Sequence, residues 1–378
     1  MGRISSVDII RGLVMVIMAL DHTRDFFHES ALTVNPSDLT QATSGLFLTR
    51  LITHLCAPTF VFLSGVSAWL SFQKSRDTGT FRKFLLTRGA WLLVLDFTVI
   101  NFGLWFDIHF NLLLFNVLAT IGFGFILLGL LLKVGSRTLL GLGLGLIFLH
   151  NLTLLTSLPS VLTPFFSSAV IPLGGERVFI MGYPPLPWLG ILLAGFGAGP
   201  FLRRENRKAL FLKTGLAALV LFLVLRGINI YGDPAPWQHL ETLPYTVMSF
   251  LNVTKYPPSL AFTLLTLGVM FLLLGVVENR ENRLTRTLEV YGRVPLFYFI
   301  VHWYVLHLLL FTGFLLSGYS PSQFVFGSNF GRPADWSGLS LSGVYGVWAL
   351  LVVIMYPLCK WYGRYKAAHP EKAVLRYL

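Results

Sequence analysis

The side chains best suited to chemistry follow an apolar run near the start of the sequence. The stretch RGLVMVIMALDHTRDFFH covers residues 11–28. Arg11 and His22 have ten residues between them, so on a helix their side chains point within about 20° of each other and lie about 16 Å apart along the axis. Asp8 can pair with Arg11, and Asp25 can orient the ring of His22, because each lies three residues away. Imidazole transfers protons well near neutral pH, so this pattern indicates acid–base chemistry.

Charged residues within an apolar segment are unfavourable unless they face protein or water. Each costs roughly 2.5–3.5 kcal/mol at the centre of a bilayer and less toward its surface. Such residues usually face the protein interior or a watery cavity, and they often mark function. A structural ion cluster at the end of the helix is the alternative interpretation of Asp21 and Asp25, which are four residues apart.

Histidines concentrate at one end of the predicted helices. If the N-terminus is cytoplasmic, only His369 falls on the cytoplasmic side. The others fall at outer helix ends or in outside loops: His22, His28, His54, His109, His150, His239, His302 and His307. His302 and His307 are five residues apart and do not share a helix face, which is a poor spacing for a metal pair. We therefore expect an acid–base step on the outer side and no metal site.

The composition predicts an all-α integral membrane protein. The sequence is 54% hydrophobic and 12% charged, whereas a soluble protein carries about a quarter charged residues. The run FGFILLGLLLK (123–133) is apolar up to its closing lysine and does not alternate, which argues against an outer-membrane barrel. We predict one domain over residues 1–378, a transmembrane helical bundle of about ten spans, each near the roughly 20 residues that a crossing needs: 5–27, 50–72, 84–105, 110–132, 137–157, 186–202, 208–228, 257–278, 289–313 and 341–362.

The positive charges behind the net charge of +12 are concentrated on one predicted side of the membrane. Most of the 29 Lys and Arg fall in the short connections on one side of the predicted bundle. The longer connections on the other side hold few of them: 28–49, 158–185, 229–256 and 314–340. This asymmetry follows the positive-inside rule, so we predict that both termini are cytoplasmic. The excess charge is explained by the lipid bilayer, and no nucleic-acid partner is expected.

Four stretches carry a family resemblance. They are RISSVDIIRGLVMVIMALDH (3–22), THLCAPTFVFLSGVSAWL (53–70), PPLPWLG (184–190) and GRVPLFYFIVHWYVLH (292–307). Together they resemble the integral-membrane acetyltransferases related to heparan-alpha-glucosaminide N-acetyltransferase, over residues from about 3 to 310. The spacing of Arg11 and His22 also resembles the motif of membrane O-acyltransferases that decorate bacterial surface polysaccharides.

The resemblance implies acyl transfer across the membrane. In these families an acyl-CoA is taken from the cytoplasmic side, and its acyl group reaches a sugar hydroxyl or amine on the opposite side. Arg11 would serve the acyl-CoA channel and His22 would be the catalytic histidine. The lysosomal enzyme has Asn at the position matching His22 and its essential histidine further along, so the choice between His22 and His28 is open.

We therefore expect an acyl-CoA-dependent N- or O-acetyltransferase of a bacterial inner membrane. Its donor would be acetyl-CoA or another acyl-CoA, and its acceptor an amine or hydroxyl of an extracytoplasmic glycan or amino sugar. Direct transfer and an acetyl-histidine intermediate are both compatible with the sequence. The residues expected to form the site are His22 or His28 as general base, Asp21 or Asp25 to orient it, Arg11, Arg88 and Arg293 for the CoA phosphates, and His54, His302 and His307 for the acceptor.

A secondary transporter or flippase of small anions or sugars is the alternative. Many such proteins contain inverted repeats, with paired broken helices at corresponding positions of the two halves. The sequence shows no such symmetry.

Overall fold

A computed structural model describes residues 4–75, 77–154 and 158–376. The fold is mostly helical. The α-helices are α1 Ser5–Phe27, α2 Ser44–Thr53, α3 Cys56–Phe72, α4 Thr78–Leu95, α5 Asn101–Trp105, α6 Val117–Leu131, α7 Ser136–Leu149, α8 Thr163–Phe166, α9 Pro185–Ala198, α10 Arg207–Ile228, α11 Leu243–Leu251, α12 Leu260–Val277, α13 Arg283–Gly292, α14 Pro295–Leu316 and α15 Leu341–Ala368. A π-helical turn, Asp96–Ile100, joins α4 to α5.

Seven helical segments within the described ranges are long and apolar enough to cross a membrane. They are Ser44–Phe72, Thr78–Trp105, Pro185–Arg203, Arg207–Ile228, Leu260–Val277, Pro295–Leu316 and Leu341–Ala368. Each contains or overlaps one of the predicted spans. The membrane character expected from composition therefore holds at this level, while the count of about ten spans and the cytoplasmic placement of both termini stay predictions.

Each of the three other predicted spans contains a helix within the described residues. Helix α1 has the predicted bounds and 23 residues, but its charged residues lower its hydropathy. Helices α6 and α7 have 15 and 14 residues, so each is shorter than a typical bilayer crossing. The last part of the predicted span 137–157, residues 155–157, lies outside the described residues.

The fold also contains a small β-sheet beside α6. Its strands are β1 Leu112–Phe115, β2 Ala169–Gly174 and β3 Arg177–Met181, and β3 lies between the other two. Strand β1 pairs parallel to β3, and β2 pairs antiparallel to it. The predicted start of a span at residue 110 is therefore wrong, because a short apolar run fits a strand as well as a helix and its partner lies far along the chain.

Helix α1 is central to the bundle. It packs against α2, α3, α12, α13, α14 and α15, and most of its side chains are buried. Its charged residues Asp8, Asp21 and Arg24 are buried and therefore face protein and not lipid, as an ionised group in a membrane requires.

Two glycines set the close crossing of α1 and α13. A Cβ atom on Gly12 would overlap the carbonyl oxygen of Leu288, and a Cβ on Gly292 would overlap that of Asp8. Small residues allow helix backbones to approach in this way. Because Arg11 and Arg293 are the chain neighbours of these glycines, the crossing fixes where both arginines lie.

Candidate active site

Three of the predicted cofactor residues line one cavity. Arg11 of α1, Arg88 of α4 and Arg293, which follows α13, come from separate parts of the chain and surround a space of about 340 Å³. Lys366 of α15 lines it as well. We call this space the arginine cavity. Sequence reasoning counted Lys366 only as a topological charge, and its place near the end of the last helix gave no sign of a shared cavity.

Arg11 is held by helix α3. Its Nη2 donates to the carbonyl oxygen of Leu63 at 3.0 Å and to the Oγ of Ser67. Its Nη1 lies 3.6 Å from Oδ1 of Asp8, the partner expected from the sequence. Ser64, Ser67 and Ser71 line the same wall of the arginine cavity, three and four residues apart along one face of α3. The wall thus offers hydroxyl groups beside the cations.

The arginine cavity also has an apolar part, and one of its residues packs against His302 and Trp303. Its apolar lining includes Met15, Phe60, Leu92, Leu118 and Phe299. The ring of Phe299 has its centroid 5.7 Å from that of His302 and 6.3 Å from that of Trp303. A ligand with anionic groups at one end and an uncharged arm at the other would match these two parts.

His22 and His302, two of the predicted site residues, contact each other. Nδ1 of His22 lies 2.7 Å from Nε2 of His302, and we call these two residues the histidine pair. The His22 ring also stacks on Trp303, with centroids 4.0 Å apart. His302 is fully buried, whereas His22 is partly exposed. The half of the pair on α1 can therefore reach a reactant.

The acids expected to orient His22 have other partners. Asp21 accepts two hydrogen bonds from Nη1 of Arg50, at 2.7 and 2.9 Å, and one from Oγ1 of Thr53 at 3.0 Å. Nη2 of Arg24 lies 3.0 Å from Asp21 and 2.6 Å from Asp25. These contacts form an ion cluster that joins α1 to α2, and the ring of His22 is held by His302 instead.

His28 is a poor candidate for the base in this geometry. Its Nδ1 accepts from the backbone N–H of Ser30 at 3.1 Å and lies 2.9 Å from the Ser30 hydroxyl. Burial lowers the pKa of His28 below its ordinary value, so the ring is neutral near pH 7. A neutral ring that accepts at Nδ1 carries its proton on Nε2, which leaves no basic nitrogen for a substrate.

Two predicted acceptor residues lie among aromatic rings. His54 is 3% exposed and packs edge-on against Phe262, with centroids 5.4 Å apart. His307 stacks on Phe106 at 3.9 Å and meets Phe26 edge-on at 4.7 Å. The structure therefore brings His302 to His22 but gives His307 a separate packing environment one helical turn further along α14.

Three residues that sequence reasoning did not assign to the site form a polar patch near it. The Oη atoms of Tyr256 and Tyr183 are 3.2 Å apart, and Nζ of Lys255 lies 4.9 Å from the centre of the Tyr256 ring. Lys255 is 8% exposed and interacts electrostatically with Asp21 and His22. The available signal was that Lys255 is one of few cations in the outside connections.

No group of three or more His, Cys, Asp or Glu side chains in the described ranges is placed to hold a metal ion.

Comparison with known families identifies the family of the chain. The family model of heparan-alpha-glucosaminide N-acetyltransferase, catalytic, matches residues 3–231. The chain belongs to this family. The resemblance expected from the sequence is thereby confirmed, and the heparan-alpha-glucosaminide N-acetyltransferase family indicates an integral membrane transferase. No curated protein matches the chain. The match includes Arg11, His22 and Arg88, whereas the predicted stretch 292–307 lies beyond it.

Proposed function

We propose that the protein transfers an acetyl group from acetyl-CoA, bound in the arginine cavity, to an amine or hydroxyl of a glycan. The observation that carries this proposal is the lining of the arginine cavity. It combines three arginines from separate parts of the chain with Phe299, whose ring packs against His302 of the histidine pair. Family membership supports the same reaction class.

The basic part of the arginine cavity suits the donor. CoA carries several phosphate charges, and guanidinium groups bind phosphate through paired, charge-assisted hydrogen bonds. Arg11, Arg88, Arg293 and Lys366 supply four cations around one space. The serine hydroxyls of α3 and the apolar lining would then accompany the uncharged arm of CoA toward His22.

His22 is the general base in this proposal. Its free ring nitrogen takes the proton of the acceptor N–H or O–H as the acceptor attacks the thioester carbonyl. The bond from the acceptor to the acetyl carbon forms, the carbon–sulfur bond breaks, and the leaving CoA thiolate takes up the proton. An acetyl group carried briefly by His22 gives the same balance in two steps.

Sidedness supports an acceptor across the membrane from the donor. The arginines of the cavity lie near the end of the bundle where the sequence places the cytoplasm, and His22 lies toward the other end of α1. We therefore propose that acetyl-CoA enters from the cytoplasm and that the acceptor is an extracytoplasmic glycan or amino sugar, in the inner membrane of a bacterium.

The test is acetyl transfer by the purified full chain in nanodiscs. Labelled acetyl-CoA is supplied with a panel of amino sugars and polysaccharides, and product is measured for the wild type, His22→Ala and His28→Ala. We expect His22→Ala to lose about 100-fold or more in kcat and His28→Ala to keep most activity. Equal background turnover in all three, without acetyl-CoA binding, would overturn the proposal, and CoA-independent sugar uptake into proteoliposomes would favour a transporter.

A matched pair of α4 variants tests the donor site separately. Arg88 lines the arginine cavity, whereas Arg82, on the same helix, is exposed and does not line it. Arg88→Gln should weaken acetyl-CoA binding by about tenfold or more, since a hydrogen bond to a charged group contributes about 1.5–3 kcal/mol. Arg82→Gln should leave the Kd unchanged. Equal Kd values for the two variants would remove the arginine cavity from the proposal.

A further inference from the structure

The hydrogen bond between His22 and His302 has a direction that the surrounding atoms determine. Two uncharged imidazoles whose nitrogens lie 2.7 Å apart need one N–H and one bare nitrogen. Nδ1 of His302 lies 3.1 Å from the carbonyl oxygen of Tyr298, one turn earlier in α14. A carbonyl oxygen can only accept, so Nδ1 of His302 carries the hydrogen.

The tautomer of His22 follows from that of His302. With its hydrogen on Nδ1, the neutral His302 ring has a bare Nε2, and Nδ1 of His22 must donate to it. The remaining nitrogen of His22, Nε2, is then bare and available as a base. The bonds form a directed chain from His22 through His302 to the backbone of Tyr298.

We propose that His302 is a positioning residue that fixes His22 in the tautomer whose Nε2 takes the acceptor's proton. This inference rests on the proposed function. His302 does for His22 what a carboxylate does for the histidine of a Ser-His-Asp triad, which is to hold the ring's tautomer and orientation. Here the holding group is an uncharged imidazole, and Asp21 and Asp25 are engaged by arginines.

Packing supports the same role. Trp303, the chain neighbour of His302, stacks on the His22 ring at 4.0 Å and limits its rotation. His302 is fully buried, so it does not face the acceptor directly. When His22 is protonated, its Nδ1–H bond to His302 becomes charge-assisted and stronger. The proton cannot pass beyond His302, because the chain ends at a backbone carbonyl that cannot take it up, and it leaves with the CoA thiol.

The experiment uses the acetyl-transfer assay with His302→Phe, His302→Gln and the control His150→Gln. Phe keeps a flat ring but offers no acceptor, whereas the side-chain oxygen of Gln can accept from Nδ1 of His22. His150 lies at the end of α7, far from α14 in the sequence, and is also buried. Its Nδ1 lies 2.9 Å from the carbonyl oxygen of Leu146, four residues earlier. A general structural effect of replacing a back-bonded histidine would therefore appear in the control.

We expect His302→Phe to lower kcat about 100-fold or more while the KM for acetyl-CoA changes less than threefold. The kcat of His302→Gln should be about tenfold or more above that of His302→Phe. The pH profile of kcat should shift in His302→Phe but not in His150→Gln. Unchanged kcat and pH profile in His302→Phe would overturn the inference. If His302→Phe does not fold, His302→Gln and the spectroscopic measurement decide.

Nitrogen-15 solid-state NMR of histidine-labelled protein reads the tautomer without any turnover. The wild type should show His22, assigned by its loss in His22→Ala, with hydrogen on Nδ1, and His302→Gln should retain that form. Hydrogen on Nε2 of His22 in the wild type would overturn the inference even if acetyl transfer is measured. Absence of transfer with the expected tautomer would instead count against the proposed function alone.

Discussion

At the scale of single residues, the hydrogen bonds of Arg11 show how a charged side chain becomes part of a cavity wall. The guanidinium spans a carbonyl oxygen and a hydroxyl of α3 while it stays beside Asp8 on its own helix. A lysine ammonium is a compact charge on a flexible stem and cannot hold these partners in one plane. The shape of the side chain matters here as well as its charge.

Arg11→Lys should therefore weaken donor binding although the charge is kept. We expect the Kd for acetyl-CoA, measured by isothermal titration calorimetry, to rise about tenfold or more, because at least one charged hydrogen bond of about 1.5–3 kcal/mol is lost. Ser67→Ala should move the Kd in the same direction by less. A Kd for Arg11→Lys equal to that of the wild type would mean that the planar guanidinium shape of Arg11 plays no part in acetyl-CoA binding.

The ion cluster at the end of α1 illustrates what single residues in the sequence could not reveal. Asp21, Arg24 and Asp25 are visible as a charged group, but Arg50 reaches Asp21 from another helix. The sequence therefore indicated that these charges need partners but not which ones. The same holds for His22, whose partner His302 lies 280 residues away along the chain.

At the scale of elements, hydropathy predicts helices well where the apolar run is long. The bounds of α1 agree with the prediction 5–27. Prediction fails at 110–115, where Leu112–Phe115 pairs with Arg177–Met181 as a strand. An apolar tetrapeptide has no period that separates strand from helix, and only the distant partner decides.

The crossing of α1 and α13 can be tested by adding one methyl group. Gly12→Ala places a Cβ where the carbonyl oxygen of Leu288 lies, so the helices must separate. Overpacking of this kind costs about 1–3 kcal/mol, and the displacement moves Arg11 relative to Arg293. We expect a lower Tm in scanning calorimetry and weaker binding of acetyl-CoA.

Gly141→Ala is the matched control for that crossing. It makes the same substitution in helix α7, where an added Cβ meets nothing within 4 Å. Alanine is favoured over glycine in a helix by about 1 kcal/mol, so the Tm should stay the same or rise. If both alanine variants behave alike, close packing of α1 on α13 does not set the position of Arg11.

At the scale of the whole molecule, the separation of charge types gives the proposed reaction its direction. Arg11 and His22 lie toward opposite ends of α1, and Phe299, which lines the arginine cavity, packs against His302 of the histidine pair. Composition predicted the membrane and the loop charges predicted the orientation. Neither could predict that Arg11, Arg88 and Arg293 share one cavity, because that depends on how α1, α4 and α13 pack.

Orientation can be measured with two surface cysteines on opposite predicted sides. Glu241 lies in the predicted outside connection 229–256, and Glu281 lies between α12 and α13 on the predicted cytoplasmic side; both are exposed. The native Cys56 and Cys359 are buried and give a low labelling background.

In intact cells a membrane-impermeant maleimide should label Glu241→Cys and not Glu281→Cys, and both should react after permeabilisation. The ion pair of Glu281 with Arg286 is exposed, so its loss should cost about 0–1 kcal/mol. The reverse pattern in intact cells would place the arginines outside, where cytoplasmic acetyl-CoA cannot reach them, and would contradict the proposed direction of transfer.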